Sequence, residues 1–520
     1  MNQVQADTTP ARAAGEPPLA SARLMALAAI LAMAAIVAAA ILLRFYDLAA
    51  NPGAGLYGDE ASEGLDALKL LHQPGFHPDW LVWFQDDGGR EALFAYVVAA
   101  VFHFFGETTF VLRGTAAAFG VAGVLAIGLL GRRFGTLTGL VAAAWAAGSL
   151  WLVCVSRDGM RNTIVPLFGA LALIALLRWA GRPGRGTAAV AGAVTAVAAL
   201  YTYQPLKLLP ALVIVWLLWL RWADRPRYND LRAGAVPFVA AFLIVAAPMI
   251  AVAVTDPISY FGRATVVSVF NPASAADSSP AVHVLRTLGM FGFLGDQNGR
   301  HDVAALPLVP LPLVAVAAFG LLRLWRMRRD AGHALILLSL PVFLLPPLLA
   351  TEGYSPHFLR ALGLAAPLGV TIGLGATELG EWARGRWGAR AGRVAISIVA
   401  VGLAAIAVMS GVVYLSRSVA DRYDPFSYQI AAMGEYANEH PGSAVIIDDF
   451  SATDIEFVYF HDQPTFFPPG SRIENPRIYS TVVAASRADL TRALGSDAAA
   501  RAQPVAWDPD GRPAVWAVSP

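Results

Sequence analysis

Two adjacent carboxylates, Asp59 and Glu60, follow the first long apolar run of the chain, inside the stretch Leu56-Tyr-Gly-Asp-Glu-Ala-Ser-Glu-Gly64. Asp59, Glu63 and Asp66 stand at i, i+4 and i+7, one face of a helix, and Glu60 lies off that face. Two chemistries suit this pattern. Asp59 can cap a juxtamembrane helix after Gly58, with Glu60 and Glu63 favouring its first turn. A carboxylate beside a low-dielectric boundary also gains proton affinity and can serve as a general base. The two roles are compatible.

Cations that could meet an anionic group recur further on. In Asp86-Asp-Gly-Gly-Arg-Glu91, Arg90 follows a glycine pair and either snorkels at an interface or grips an anionic headgroup. In Ser156-Arg-Asp-Gly-Met-Arg-Asn162, Arg157 and Arg161 flank Asp158; they either face an anionic partner or pair at the surface with little energetic weight. Lys207 closes Tyr201-Thr-Tyr-Gln-Pro-Leu-Lys207, where Pro205 frees backbone groups and Tyr203 also suits an interfacial aromatic belt. In Gly295-Asp-Gln-Asn-Gly-Arg-His-Asp302, Asp296, His301 and Asp302 offer atoms to a divalent metal, although their spacing matches no diagnostic metal motif. His357 and Arg360, in Ser355-Pro-His-Phe-Leu-Arg360, stand i, i+3, and either face an anion or anchor a helix end.

The elements that must position these residues are transmembrane. Of 520 residues, 57% are hydrophobic and only 14% charged, with a mean hydropathy of +0.55. Soluble domains carry roughly 25% charge, so this composition excludes an ordinary soluble enzyme and a disordered chain. The net charge of +1 implies no nucleic-acid partner. A single cysteine, Cys154, excludes an intramolecular disulfide and a cysteine metal cluster.

Apolar stretches fall near 24–43, 91–105, 110–130, 136–155, 163–180, 187–203, 205–220, 233–254, 306–322, 331–350, 359–378 and 394–414. Arginines crowd the connectors after 130, 180, 220, 322 and 378, which marks these as cytoplasmic. The loops 44–90, 156–162, 255–305 and 351–358 then face outward. This parity holds if 91–105 does not cross, leaving about 11 crossings; a hidden crossing, giving 12 or 13, is the other solution. Residues 1–22 read as a disordered cytoplasmic tail, followed by an uncleaved first helix and a transmembrane module over 23–415.

Residues 416–520 change character, with 14 acids against 8 bases and no long apolar run. A helix-like stretch Tyr428–Ala437 precedes β-prone pieces at Ala444–Asp448, Glu456–Phe460, Ile478–Val483 and Ala514–Val518, which predicts a small extracytoplasmic α/β domain. The spans are nearly free of acids while the outward loops hold the unusual polar residues, so chemistry is expected at the outer membrane surface.

The order of these landmarks resembles the GT-C superfamily of membrane glycosyltransferases, most of all the bacterial branch akin to protein O-mannosyltransferases and the aminoarabinose transferase of lipid A. The matching elements are Asp59-Glu60, Gly89-Arg-Glu-Ala-Leu-Phe94, Phe105-Gly with Arg113, Ser156-Arg-Asp-Gly-Met-Arg161, Gly295-Asp-Gln-Asn-Gly-Arg-His301 and Pro356-His-Phe-Leu-Arg360. They span roughly residues 24–415. The resemblance implies an α-helical polytopic fold in an inner (plasma) membrane, with a cytoplasmic N-terminus. It also implies inverting transfer of a hexosyl or pentosyl group from a polyprenyl-phosphate donor to an extracytoplasmic protein, lipid or glycan. Asp59 matches the family's catalytic aspartate and Glu60 completes the pair. Arg90, Arg157, Arg161, Lys207 and Arg360 are then candidates for the donor phosphate, and Asp158, Tyr203, His301 and His357 for the substrate. No nucleotide site is needed and no cofactor is identified; a divalent metal is left open, with Asp296 and His301 as its candidates. Two rival readings share the same features: a flippase for polyprenyl-linked lipids, and an inactive GT-C-like protein that binds envelope partners.

Overall fold

The computed structural model describes residues 19–520 except 54, 87–88, 272–278 and 352–353; the expected tail at 1–22 lies largely outside the described residues, as does part of the Asp86–Glu91 turn. Helix α1 (Leu19–Phe45) enters a layer built from α2 (Gly58–His72), the two-residue strands β1 (Trp83–Phe84) and β2 (Arg90–Glu91), and α3 (Leu93–Phe105). The bundle continues through α4 (Thr109–Arg132), α5 (Thr136–Gly148), α6 (Leu150–Val155), α7 (Val165–Gly181), α8 (Arg185–Leu200), α9 (Leu209–Ala223) and the short α10 (Arg225–Arg232). It closes with α11 (Ala235–Thr255), α12 (Pro257–Val266), α13 (Pro280–Gly289), α14 (Leu311–Arg326), α15 (Ala331–Leu349), α16 (Ala365–Trp387) and α17 (Ala389–Leu415). Among the described residues, eight helices are long and apolar enough to cross a membrane; α3, α5 and α8 are shorter apolar helices.

Small residues let these helices approach. A Cβ at Gly320 of α14 would meet the Thr371 carbonyl oxygen at 1.9 Å, and one at Gly375 of α16 would meet that of Val316 at 2.0 Å. Such backbone proximity is how apolar helices associate where lipid supplies no hydrophobic drive. Between α5 and α6 the helix breaks at Ser149, and carbonyls before the break lose their intrahelical partners. Arg44, fully buried in α1, donates to two of them, Ala146 and Ala147, each at 3.1 Å.

The expected capping role of Asp59 is not observed. Helix α2 starts at Gly58, with Tyr57 at the cap and no side-chain cap bond, so Asp59 sits in the first turn, where a negative charge still favours the helix. The loop expected at 255–305 contains α12 and α13. Trp83 explains the position of α12: its indole N–H donates to the Ser259 hydroxyl at 2.8 Å and its ring lies 5.2 Å from that of Tyr260.

Arg90, just before helix α3, pairs with Asp66 of α2, and Glu107, just after it, pairs with His72 at the end of α2. Thr108 then caps α4 by accepting from the Val111 amide. Both ends of α3 are thus tied to α2.

The C-terminal domain follows α17 through α18 (Val419–Tyr423) and α19 (Tyr428–Glu439). Its strands β3 (Ala444–Ile446), β4 (Thr465–Phe467), β5 (Val482–Ala484), β6 (Gln503–Trp507) and β7 (Pro513–Val518) form one sheet in the order β4-β3-β5-β7-β6. The pairs β3/β4 and β3/β5 are parallel; β5/β7 and β7/β6 are antiparallel. Three expected pieces match β3, β5 and β7 within a few residues. The fourth, Glu456–Phe460, is corrected: most of it belongs to helix α20 (Asp449–Val458) or the turn after it. Asp448 caps α20 by accepting from the Ser451 amide, and the helix buries Ile455 and Phe457, a gain that outweighs local β preference.

Helix α20 docks along α2. Phe450 lies against Gly58, Phe457 against Gly64, and buried Asp454 accepts from the Leu56 amide at 3.3 Å. Burial, reinforced by the nearby Glu60 charge, pushes the Asp454 carboxyl up to about 8. The folded state therefore holds a proton that the unfolded state releases near its ordinary pKa, so stability falls as pH rises from about 4 through about 8. Asp454→Asn is expected to match the parent protein near pH 4 and to exceed it increasingly as pH rises to 8.5 in thermal unfolding. Asp454→Ala leaves the Leu56 amide buried without its acceptor and should cost about 1–3 kcal/mol near pH 4, where ionisation of Asp454 adds no penalty.

Candidate active site

Helix α2 organises one face of the site. Its successive acids each meet an arginine: Glu60 meets Arg113, Glu63 meets Arg161 and Asp66 meets Arg90. Asp59 is the exception. It is half-buried and makes no hydrogen bond or ion pair with another described residue.

Glu60 is held at both oxygens. Arg113 Nε donates to Oε1 at 2.6 Å, a terminal nitrogen donates to Oε2 at 2.9 Å, and the Gly159 amide donates to Oε1 at 2.8 Å. Arg113 also donates to the carbonyls of Gly53 (2.5 Å) and Gly55 (2.8 Å). This buried fork ties three things together: the start of α2, helix α4 and the loop after α6. Gly159 is confined there, because an added Cβ would lie 2.5 Å from Leu112 and 3.1 Å from the Glu60 carboxylate. In sequence Arg113 stood out as a landmark of the resemblance and as an arginine inside an apolar run, the kind of costly placement that marks a specific partner, but its partner Glu60 was not visible there.

A layer of cations lies beyond the next turns of α2. Arg161 donates to Glu63 at 2.5 Å and to Glu91 at 3.2 Å, and its guanidinium lies 5.5 Å from the Tyr203 ring. Lys207 reaches the other oxygen of Glu91 at 3.3 Å and sits 4.9 Å from the Tyr260 ring and 5.5 Å from that of Trp83. Arg360 donates to the Tyr203 hydroxyl at 3.0 Å. Arg90 pairs with Asp66 at 2.7 Å. The structure thus brings Arg90, Arg161, Lys207, Arg360 and Tyr203 into one connected network; Lys207, 21% exposed at its side chain, is its most open cation. Desolvation raises the proton affinity of Glu63 and Asp66 above that of ordinary carboxyls, against the pull of their arginines.

Arg157 has a different setting. Its guanidinium donates to the carbonyls of Leu43 and Tyr46 at 2.9 Å and of Asn51 at 2.7 Å, and stacks 4.6 Å from Tyr414. These bonds fix the chain that leaves α1. Its neighbour Asp158 is buried with one carboxylate oxygen unpaired. Burial and the adjacent Glu60 charge push this carboxyl up to about 8, despite the pull of Arg300, Arg113 and Arg417. A carboxyl that retains its proton near neutrality can donate a hydrogen bond, a capacity that ordinary aspartates lack. Arg300, whose guanidinium lies 3.4 Å from the Tyr57 ring, joins this acid to the start of α2.

Asp296, His301 and His357 gather in a third cluster, buried, with ligand-type atoms within 4.8 Å of one another. The carboxylate is already occupied by protein donors. Oδ1 accepts from the Asn298 amide at 2.8 Å, and Oδ2 accepts from the Phe358 amide at 2.7 Å and from the His301 ring at 3.0 Å. Asp296 therefore orients His301 through Nδ1 and leaves Nε2 buried without a hydrogen-bond partner among the described residues. Burial pushes the His301 imidazole down to about 4, so it stays neutral and Nε2 is an acceptor. His357 stacks on Tyr354, with ring centroids 5.1 Å apart. Asp302 is buried nearby, its carboxyl raised to about 7.

Residues 91–270 match the sequence family described as dolichyl-phosphate-mannose-protein mannosyltransferase. No curated protein matches the chain significantly in sequence. Solved structures are similar across nearly its whole length. ArnT from Cupriavidus metallidurans bound to undecaprenyl phosphate is 16% identical with a TM-score of 0.58, over 93% of this chain and 97% of that one. The same protein in its apo state gives 0.55 at 15% identity, over 94% and 98%. The apo oligosaccharyltransferase of Archaeoglobus fulgidus gives 0.51 at 12% identity, over 90% and 71%. The chain therefore shares the polytopic helical fold of ArnT and the archaeal oligosaccharyltransferase over nearly its whole length, and residues 91–270 resemble the dolichyl-phosphate-mannose-protein mannosyltransferase family in sequence.

Proposed function

We propose that this protein is an inverting glycosyltransferase that moves a sugar from a polyprenyl-phosphate donor to an acceptor outside the membrane. The observation that carries this reading is the order along α2. A carboxylate without a partner among the described residues, Asp59, stands one helical turn from Glu63, which holds the first cation of the Arg161–Lys207–Arg360 network.

In the proposed reaction an acceptor hydroxyl oxygen attacks the anomeric carbon as Asp59 takes its proton. The bond from that carbon to the phosphate oxygen breaks, and the departing lipid phosphate keeps the electron pair. Lys207, Arg161 and Arg360 stabilise the charge that develops there. Glu60, committed at both oxygens, positions the start of α2 and takes no proton. Asp158 donates to a substrate oxygen, and His301 Nε2 accepts from a sugar hydroxyl. Arg90 supports the network through Asp66, while Arg157 acts on the backbone.

The lipid tail has a natural place. An apolar groove of about 540 Å³ runs between α1, α3, α4 and α7, lined by Phe45, Val97, Val101, Phe110, Phe119 and Leu167. In this reading the arginine-rich connectors are cytoplasmic and the layer of α2, α3 and the C-terminal domain lies outside. ArnT bound to undecaprenyl phosphate offers a precedent for a lipid phosphate on this fold.

The test is mass spectrometry of lipids that co-purify with the full chain, followed by their consumption with candidate acceptors. A lipid-linked sugar that binds and is never consumed would leave a binding protein in place of an enzyme. Lys207→Ala should lower kcat as well as raise the donor KM, with kcat/KM falling about 10-fold or more, the weight of a charge-assisted contact that strengthens as charge develops on the leaving phosphate. An unchanged kcat/KM would remove Lys207 from the donor site.

A further inference from the structure

Two histidines and a glutamate from three distant segments meet where the C-terminal domain touches the membrane module. His72 is the last residue of α2, Glu107 lies in the short link between α3 and α4, and His461 follows α20. His72 Nε2 lies 2.6 Å from one Glu107 oxygen, and His461 Nε2 lies 3.5 Å from the other. The two imidazole centroids are 5.2 Å apart, and all three ligand-type atoms fall within 4.8 Å of one another. From these positions we propose that His72, Glu107 and His461 bind a zinc-class divalent cation that clasps the C-terminal domain to α2.

The donor set fits the ion. Two neutral imidazole nitrogens and one carboxylate form a three-ligand set typical of Zn²⁺, with water completing the tetrahedron. Ligand bonds of roughly 2.0–2.2 Å require only small side-chain shifts from the separations present. The rings are already oriented: Phe460 lies 5.9 Å from His72 and 5.2 Å from His461, centroid to centroid. All three side chains keep solvent access, at 38%, 28% and 65% exposure for His72, Glu107 and His461, so an ion can reach them.

The location gives the ion a mechanical role. Helices α2 and α20 run side by side in the same direction, with Phe450 at Gly58, Phe457 at Gly64 and His461 at His72. Beneath the cluster, Phe457 stacks on Phe102 at 6.1 Å. Further along the same seam opens a cavity of about 250 Å³, lined by Asp66, Lys69, Arg90, Asp449, Thr453 and Glu456. Near its exposed end, where buried Phe457 gives way to the surface pairs of His72 and His461 with Glu107, the seam is held only weakly. An ion bound across it would fix α20 on α2 and set the width of that cavity. The proposal is independent of the glycosyltransferase reading, because its test measures binding and docking rather than sugar transfer.

The experiment uses the purified full chain in detergent, stripped with a chelator and titrated with ZnCl₂. One ion per chain is expected. His72→Ala and His461→Ala should each weaken binding by at least about 10-fold, while His440→Ala, elsewhere in the same domain, leaves it unchanged. Zinc should also slow hydrogen exchange in α20 of the parent protein, and not in the His461→Ala variant. Three results would overturn the proposal: no zinc bound, binding that survives both substitutions and so sits elsewhere, or binding without altered exchange in α20.

Discussion

Asp59→Asn is expected to lower sugar transfer by at least about 100-fold, the contribution typical of a positioned general base, while leaving the protein folded. The structural half of that expectation follows from the surroundings of Asp59. It is half-buried and lacks a protein partner among the described residues, so asparagine breaks no ion pair and orphans no buried donor. The chemical half follows from elimination along α2. Glu60, Glu63 and Asp66 are each engaged by an arginine, which leaves Asp59 as the acid of that helix still able to accept a proton from a substrate. The measurement is transfer from a polyprenyl-phosphate sugar in purified protein, with thermal unfolding of the same samples as the control. Asp59→Glu should recover part of the activity, because it restores a carboxylate one methylene displaced. Full activity in Asp59→Asn would falsify the base assignment and shift attention to Asp158.

Arg113→Ala should cost about 3–5 kcal/mol, the usual consequence of leaving a buried carboxylate without its partner. Glu60 is 1% exposed and takes two hydrogen bonds from this arginine; the carbonyls of Gly53 and Gly55 lose their donors as well. The loss should appear as reduced recovery of monodisperse protein after heating, and as faster hydrogen exchange at the start of α2. A charge-free double variant, Glu60→Gln with Arg113→Met, is expected to recover part of the stability, since it removes both desolvated charges at once. It should not recover activity, because the Gly159 amide and the two carbonyls would no longer fix Asp59 and Asp158 relative to each other. If Arg113→Ala unfolds at the same temperature as the parent, the fork is not what holds this end of the bundle.

Several features were legible along the chain for a plain physical reason: they repeat or concentrate locally. Long apolar runs are the only economical way to cross a bilayer, and arginines in the connectors break their symmetry. The short run at 91–105 conflicted with that charge pattern, and the structure pairs both ends of α3 with α2. Carboxylates and cations are rare in such a chain, so Asp59, Asp158, Arg161, Lys207 and Arg360 stood out before any geometry was known.

Which of those groups remain available for a substrate was a tertiary decision. Arg157 and Arg161 are separated by one turn of sequence. One donates to the carbonyls of Leu43, Tyr46 and Asn51, and the other enters the cation network through Glu63 and Glu91. Glu60 sits beside Asp59, yet it is locked by an arginine 53 positions away. The strand expected at Glu456–Phe460 became part of a helix and its turn because Ile455 and Phe457 found burial there, Phe457 against α2 and α3. Residue type and spacing by themselves determined that this protein is a helical membrane bundle whose rare charged residues gather in the connectors. The commitments of individual charges arise from contacts across tens to hundreds of residues, where burial sets the energy and no local pattern encodes the partner.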